Sequence, residues 1–268
     1  MLPIIDKPIL QYLIDELVES GIADVILVTQ YGQGVMEDYL DNREDLEIAL
    51  EKAKKFDYLK LVREIPKKVN VAVVRQKKHL PYGNGVPLIA AKSFIGRDES
   101  FVYMFGDDLT LSNTNEPVTK QLMNVFIKQK ADAILGVQQV PPEEIHKYGT
   151  VRYKKDPQYK YEISEIQEKL PKEQAPSNMA QFGRFVLSNK IFDYAEKTKA
   201  GKDNEVWLAD ILNNMAQSNE KVIAQPVDGN WYTTGDPLTF LKTTLIYAMK
   251  RKDLKKELLK FINETITN

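Results

Sequence analysis

The chain has 268 residues, and its 37 Lys and Arg against 38 Asp and Glu leave a formal net charge of −1, which gives no global pull toward nucleic acid or acidic membranes but leaves local phosphate sites open. The absence of cysteine excludes disulfides, thiolate metal sites and a cysteine nucleophile, and two histidines, His79 and His146, leave little for histidine-based metal or triad chemistry. The length suits one elaborated α/β domain over 1–268, no segment is apolar for long enough to span a membrane, and Met1-Leu2-Pro3 lacks the basic start of a secretory signal, so a cytoplasmic protein is expected.

In chain order, Asp6-Lys7-Pro8 is expected to open a helix, with Asp6 near the cap and Pro8 in the first turn, where a missing N–H costs nothing. Ile9, Leu10, Leu13, Ile14, Leu17 and Val18 recur at helical spacing, and Gly21 ends that helix before the β-rich run Asp24 to Thr29. The charged stretch Asp41 to Lys68 is helical in composition, and Val69 to Gln76 reads as the next strand. A loop with Pro81, Gly83 and Gly85 leads into an apolar helix, Val86 to Ile95. Phe101 to Phe105, almost wholly apolar, suits a strand covered on both faces and ends in Gly106-Asp107-Asp108. A helix from Pro117 to Ala131 and a strand from Asp132 to Val140 continue the alternation, which predicts a doubly wound, mostly parallel sheet.

The second half is less regular. Strands are expected near Thr150 to Tyr153, Tyr161 to Glu168 and Ala180 to Leu187, with helices near Asn189 to Thr198 and Val206 to Asn219, as an inserted layer rather than a separate domain. A strand Val222 to Val227, a turn Asp228-Gly229-Asn230 and helices from Pro237 to Ile266 complete the chain. The stripe Leu241, Leu245, Ile246, Leu258, Leu259 and Phe261, set among lysines, serves core packing or a contact between copies.

Ligands of such sheets bind outside the carboxyl ends of the strands, so the loops after Gln76, after Phe105 and before Tyr148 to Val151 are expected to converge. Asp107 and Asp108 directly follow a strand, where a carboxylate holds a hard divalent cation against a phosphate chain, or where an acidic turn merely caps the next segment. In the loop Gln76 to Gly85, glycines permit close approach to a flat base and a Gln amide offers both donor and acceptor to a pyrimidine edge. Gly83-Asn84-Gly85 is equally an ordinary turn. Glu168-Lys169 reads either as a sugar-phosphate clamp or as a solvated charge pair at a strand end.

Several segments together resemble the bacterial UTP:glucose-1-phosphate uridylyltransferases. Met1 to Pro8, MLPIIDKP, is similar to the segment that in those enzymes follows a strand and a glycine-rich GxGTRxxPxTKxxPKE loop. Val74-Arg75-Gln76, then Gly83-Asn84-Gly85 and Phe101 to Leu109, match VRQ…GLGHA…(A/P)D in order and spacing. Lys147 to Val151 resembles KYG(V/I), and Glu168-Lys169, Ala175 to Asn178 and Gly183 to Leu187 resemble EKP…APSN…GRY(V/I)L. Gly201 to Asp210 is similar to GxxxEIQLTD, and Gly229 to Lys242 to the YDCGDxxGYLKA region.

The resemblance implies a single nucleotidyltransferase domain whose first strand and glycine-rich loop lie before Met1. It implies Mg²⁺ as cofactor, UTP and glucose 1-phosphate as partners, and contacts between copies. Gln76 and Gly83 would meet the uracil, Asp107 the metal, Gly149 and Glu168 the glucosyl hydroxyls, Lys169 the sugar phosphate and Lys7 the triphosphate. The chain departs from the family at Thr233, which stands in place of an aspartate, at Val86-Pro87 in place of His-Ala, and at Leu170 in place of proline. Two alternatives therefore stand beside uridylyl transfer: a dTTP- or GTP-dependent transferase of the same fold, and a non-catalytic sugar-nucleotide-binding subunit.

Overall fold

The computed structural model describes residues 1–201 and 204–266. It opens with a short hairpin, β1 (Pro3–Ile4) and β2 (Lys7–Pro8), followed at once by helix α1 (Ile9–Glu19). Pairing of Pro8 with Pro3 keeps Pro8 extended, so Pro8 itself is the N-cap residue. Asp6 therefore does not cap the helix as expected; it stands in the hairpin turn, where its carboxylate accepts from Arg251 Nη1 at 2.7 Å. At the far end Gly21 takes a φ of 89°, the left-handed turn that terminates α1.

Then come β3 (Asp24–Thr29), α2 (Gly34–Leu40), α3 (Glu44–Lys52), α4 (Phe56–Glu64) and β4 (Asn70–Arg75). They are followed by α5 (Val86–Ala91), β5 (Ser100–Met104), β6 (Asp108–Ser112), α6 (Val118–Gln129) and β7 (Ala133–Gln139). The second half holds β8 (Gly149–Tyr153), β9 (Ile163–Glu168), β10 (Met179–Ser188), α7 (Ile191–Ala195) and α8 (Leu208–Gln217). It ends with β11 (Val222–Pro226), β12 (Gly229–Thr233), α9 (Pro237–Lys250) and α10 (Lys252–Ile266). The turn expected at Asp228-Gly229-Asn230 is largely strand, since β12 pairs antiparallel with β6. Among the described residues no helix is long and apolar enough to cross a membrane.

Alternating helices and strands build the expected α/β architecture around a six-stranded sheet of order β11-β7-β10-β8-β9, with β5 also on β10. Pairs β3–β4 and β7–β11 are parallel, while β10 runs antiparallel to β5, β7 and β8. Ten residues long and buried along almost its whole length, β10 is the spine of the core. Phe182 and Phe185 on it are essentially inaccessible, and burial of such a ring is worth roughly 1.5–3 kcal/mol.

Strands β3 and β4 form a separate pair. Among the described residues β3 has no second strand partner, and β5 pairs only with β10, which leaves Phe101 to Met104 half-buried rather than covered on both faces. Helix α1 spans both units: Ile14 and Leu17 lie in one apolar cluster with Val25, Leu27 and Val71 from the β3–β4 pair and with Val102 and Met104 from β5. An ion pair fastens it further. Glu16 accepts from Arg184 Nη2 at 2.7 Å, and from the N–H and hydroxyl of Thr119 on α6. Burial works to raise the Glu16 pKa, but Arg184 and these hydrogen bonds hold it below the usual carboxylate range. Leu241, Leu245, Leu259 and Phe261 of the C-terminal stripe are exposed, so core packing does not account for them.

Candidate active site

Three adjacent strands carry the most closely connected part of the site. Gly149 opens β8 and is paired with Glu168, the last residue of β9; on the other side of β8, Ala180 of β10 is paired with Thr150. The next residue on β10, Gln181, reaches across and donates from Nε2 to Glu168 Oε2 at 2.8 Å. The contact exists because Gly149 has no side chain: a Cβ there would stand 2.3 Å from Gln181 Nε2 and 2.6 Å from Glu168 Oε2. Burial pushes the Glu168 carboxyl up to about 7, against the pull of Lys169 and the Gln181 hydrogen bond.

Lys169 leaves β9 with a φ of 48°, a left-handed conformation that costs a residue with a Cβ on the order of 1 kcal/mol. Its N–H is fixed by the Tyr148 carbonyl at 3.1 Å, and its Nζ lies 4.7 Å from the centre of the Trp207 ring. The ammonium thus lies over an aromatic face on the residue next to the half-buried Glu168, a cation placed to meet an anion.

Trp207 also connects this cluster to the loop of Gly83. The N–H of Val206 donates to the Tyr82 carbonyl, Gly85 N–H donates to the Val206 carbonyl, and Leu208 N–H donates to Asn84 Oδ1. Gly83 has a φ of 126°, and a Cβ on it would come 2.4 Å from the Val206 carbonyl oxygen, so no larger residue fits. Gln76 lies at the end of β4, where its N–H donates to the Thr29 carbonyl at 2.9 Å. Lys202 and Asp203, the start of the Gly201 to Asp210 match, lie outside the described residues.

Asp107 and Asp108 divide in function. Asp108 begins β6, is buried, and accepts from Gly183 N–H at 2.7 Å; burial and the neighbouring Asp107 raise its pKa. Asp107 is exposed, and its backbone carbonyl accepts from both the N–H and the hydroxyl of Thr234 at 2.8 Å. A Cβ on Gly235 would stand 3.3 Å from Asp107 Oδ2 and 3.4 Å from Thr233 Oγ1, so these two side chains flank one glycine. Asp236 does not join them: its carboxylate accepts from Leu238 and Thr239 N–H groups and caps α9. Asp107 could hold a magnesium ion, which takes one or two carboxylates alongside phosphate oxygens and water. No cluster of three ligating side chains exists among the described residues.

Gly149, Glu168 and Lys169 therefore meet directly, Gly83 joins them through Val206 and Trp207, and Asp107 is linked to β10 only through its neighbour Asp108, which accepts from Gly183 N–H. Lys7 is tied elsewhere, 3.6 Å from Asp15 and over the Tyr12 ring. Gln181, Trp207 and Thr234 were not anticipated. The signal for Gln181 was there: an uncharged polar residue inside the run Met-Ala-Gln-Phe-Gly-Arg-Phe-Val-Leu has to be explained by a partner.

Residues 1–250 match the family described as nucleotidyl transferase. The UTP–glucose-1-phosphate uridylyltransferase of Staphylococcus haemolyticus is 40% identical over 264 residues, which is 98% of this chain and 89% of the relative. The fold is similar to that of UTP-bound UGPase from Acinetobacter baumannii, with a TM-score of 0.86 at 31% identity, covering 98% of this chain and 90% of the other. A UDP-glucose pyrophosphorylase complexed with UDP-glucose gives a TM-score of 0.81 at 32% identity, covering 94% and 90%. On the strength of both sequence and fold, the chain belongs to the nucleotidyl transferase family, among its UTP–glucose-1-phosphate uridylyltransferases.

Proposed function

We propose that this protein transfers the uridylyl group of UTP to glucose 1-phosphate, giving UDP-glucose and pyrophosphate. The observation that carries the reading is the Gly149–Glu168–Lys169 cluster, a half-buried acceptor for sugar hydroxyls followed in the chain by an ammonium, joined through Trp207 to the glycine loop. A non-bridging oxygen of glucose 1-phosphate attacks the α-phosphorus of UTP, a new P–O bond forms, and the bond from that phosphorus to the β-phosphate oxygen breaks. Pyrophosphate leaves with the electron pair, and no protein nucleophile or proton transfer is required. Positioning and charge neutralisation dominate such chemistry.

In this reading Glu168 accepts from the sugar hydroxyls over Gly149, and Lys169 orients the attacking phosphate. Gln76 and the Gly83 backbone hold the uracil edge, where an amide offers both donor and acceptor. Asp107 would hold Mg²⁺, which would supply charge neutralisation at phosphate oxygens of the nucleotide. Lys7 enters the phosphate region only after release from Asp15. Among the described residues one edge of β3 and one edge of β5 carry no strand, which leaves room for a further strand beside them.

The test is pyrophosphate release with glucose 1-phosphate, Mg²⁺ and each of UTP, dTTP and GTP. It is run on this chain and on a version with a family-type strand and glycine-rich loop ahead of Met1. UTP is expected to be preferred by at least about tenfold, a discrimination of roughly 1.4 kcal/mol. Preference for dTTP or GTP would replace the uridylyl assignment, and no release by either folded protein would favour a non-catalytic binding subunit.

A further inference from the structure

Gln181 is 6% exposed, and its side chain is only half satisfied. Nε2 donates to Glu168 Oε2 at 2.8 Å, whereas Oε1, fully buried, has no hydrogen-bond partner. A buried carbonyl oxygen without a donor is unfavourable enough that native proteins rarely retain one unless a ligand or water completes it. With Glu168 ionised, the carboxylate only accepts, so the NH₂ end of the amide faces it and Oε1 lies on the other side of the amide. Gly149 lies directly against both groups, so that even a Cβ on it would overlap the amide and the carboxylate.

We propose that Gln181 is a sugar-specificity residue, whose amide bridges from Glu168 to one hydroxyl of the bound hexose by accepting that hydroxyl's proton at Oε1. The proposal rests on the sugar-nucleotide reading given above and deepens it. Glu168 and Gln181 then form a continuous acceptor surface spanning three strands, with Gly149 as its floor. A hexose that presents a hydroxyl to Oε1 completes the amide's hydrogen bonds, and an analogue lacking that hydroxyl leaves the oxygen buried and unpaired. Sites of this kind discriminate against the missing group more strongly than they attract the group itself. The same bridge makes Gln181 a positioning residue for Glu168, since the Nε2 bond holds the carboxylate over Gly149.

The experiment is calorimetric binding of UDP, UDP-glucose and the UDP-sugars deoxygenated at one hydroxyl each, to the wild-type chain and to Gln181→Met, which keeps side-chain length but has no amide. In the wild type, one deoxy analogue is expected to bind at least tenfold more weakly than UDP-glucose. In Gln181→Met that one penalty should collapse to within twofold, the other analogues keeping their ranking and UDP its affinity. Equal penalties in both proteins would overturn the proposal, as would a loss shared by UDP. So would a wild type with no deoxy analogue more than twofold weaker, a result that needs no variant to fold and points to a water on Oε1. If the wild type binds UDP and UDP-glucose equally, the sugar-site reading itself fails, and Gln181 with it. An unequal pair whose analogue penalties are the same in wild type and Gln181→Met removes only Gln181.

Discussion

The β10-centred sheet and the β3–β4 pair sit on the same helix, yet they are built to different standards. Around β10, residues such as Ile134, Leu135, Val137, Phe182 and Phe185 are inaccessible, and Glu168, which would meet the sugar hydroxyls, is held by cross-strand register. In the β3–β4 pair only Thr29 and Val74 are buried, and helices α3 and α4, which connect the two strands, expose Ile48, Phe56, Tyr58 and Leu61. On the proposed reading, the contrast means that the acceptor half of the site is held in place before any ligand arrives, whereas the unit carrying Gln76 has less packing to hold it. Preorganisation at the acceptor is where a transfer reaction gains most, because misplacement of the attacking oxygen by about 1 Å costs orders of magnitude in rate.

The largest expected effect comes from separating the two regions. Glu16→Ala leaves Arg184 charged and wholly buried, and the chain should lose about 3–5 kcal/mol of unfolding free energy, read by urea titration. A loss under about 1 kcal/mol would mean that α1 is not the clamp between the sheets. Next in size is the difference in local opening. Amides of Asp24–Thr29 and Asn70–Arg75 should exchange with deuterium at least about 100-fold faster than those of Ala133–Gln139, a gap of roughly 3 kcal/mol. Equal protection would erase the comparison.

The smallest effect sharpens it, through pH. Folded Glu168 releases its proton near 7, against 4.5 for the free side chain. The folded state therefore binds more protons between those values, and wild-type stability falls as pH rises through that window. Glu168→Gln lacks the titration, so its stability relative to wild type should rise between pH 4 and pH 8, by about 1–3 kcal/mol once solvent screening is allowed for. Thermal unfolding at the two pH values checks it, and a pH-independent difference would show that the carboxyl is not desolvated.

Most of the fold was legible because its signals are local. The spacing of Ile9 to Val18, the stop at Gly21 and the alternation of β4, β5 and β7 with helices each sit within one stretch of chain. What escaped was long-range. The residues of β6 follow an acidic turn and its partner β12 lies where a turn was expected, about 120 residues later, so no local pattern exposes their pairing. Glu168 and Lys169 were legible as a charge pair and through the family resemblance. That Gln181 meets Glu168 depends on β8 lying between β9 and β10 with a glycine at the crossing, which is a property of register. Lys7 shows the converse: its motif marked it, but an exposed ammonium goes to the nearest carboxylate, here Asp15.

The most direct test of a site divided between a rigid sugar-phosphate half and a looser nucleotide half is the pair of dissociation constants for UDP and UDP-glucose, measured in Glu168→Ala and Gln76→Ala. Glu168→Ala should weaken UDP-glucose at least about tenfold while leaving UDP within twofold, and Gln76→Ala should weaken both ligands by the same factor. Equal weakening of UDP and UDP-glucose by Glu168→Ala, or unchanged UDP affinity in Gln76→Ala, would contradict the division.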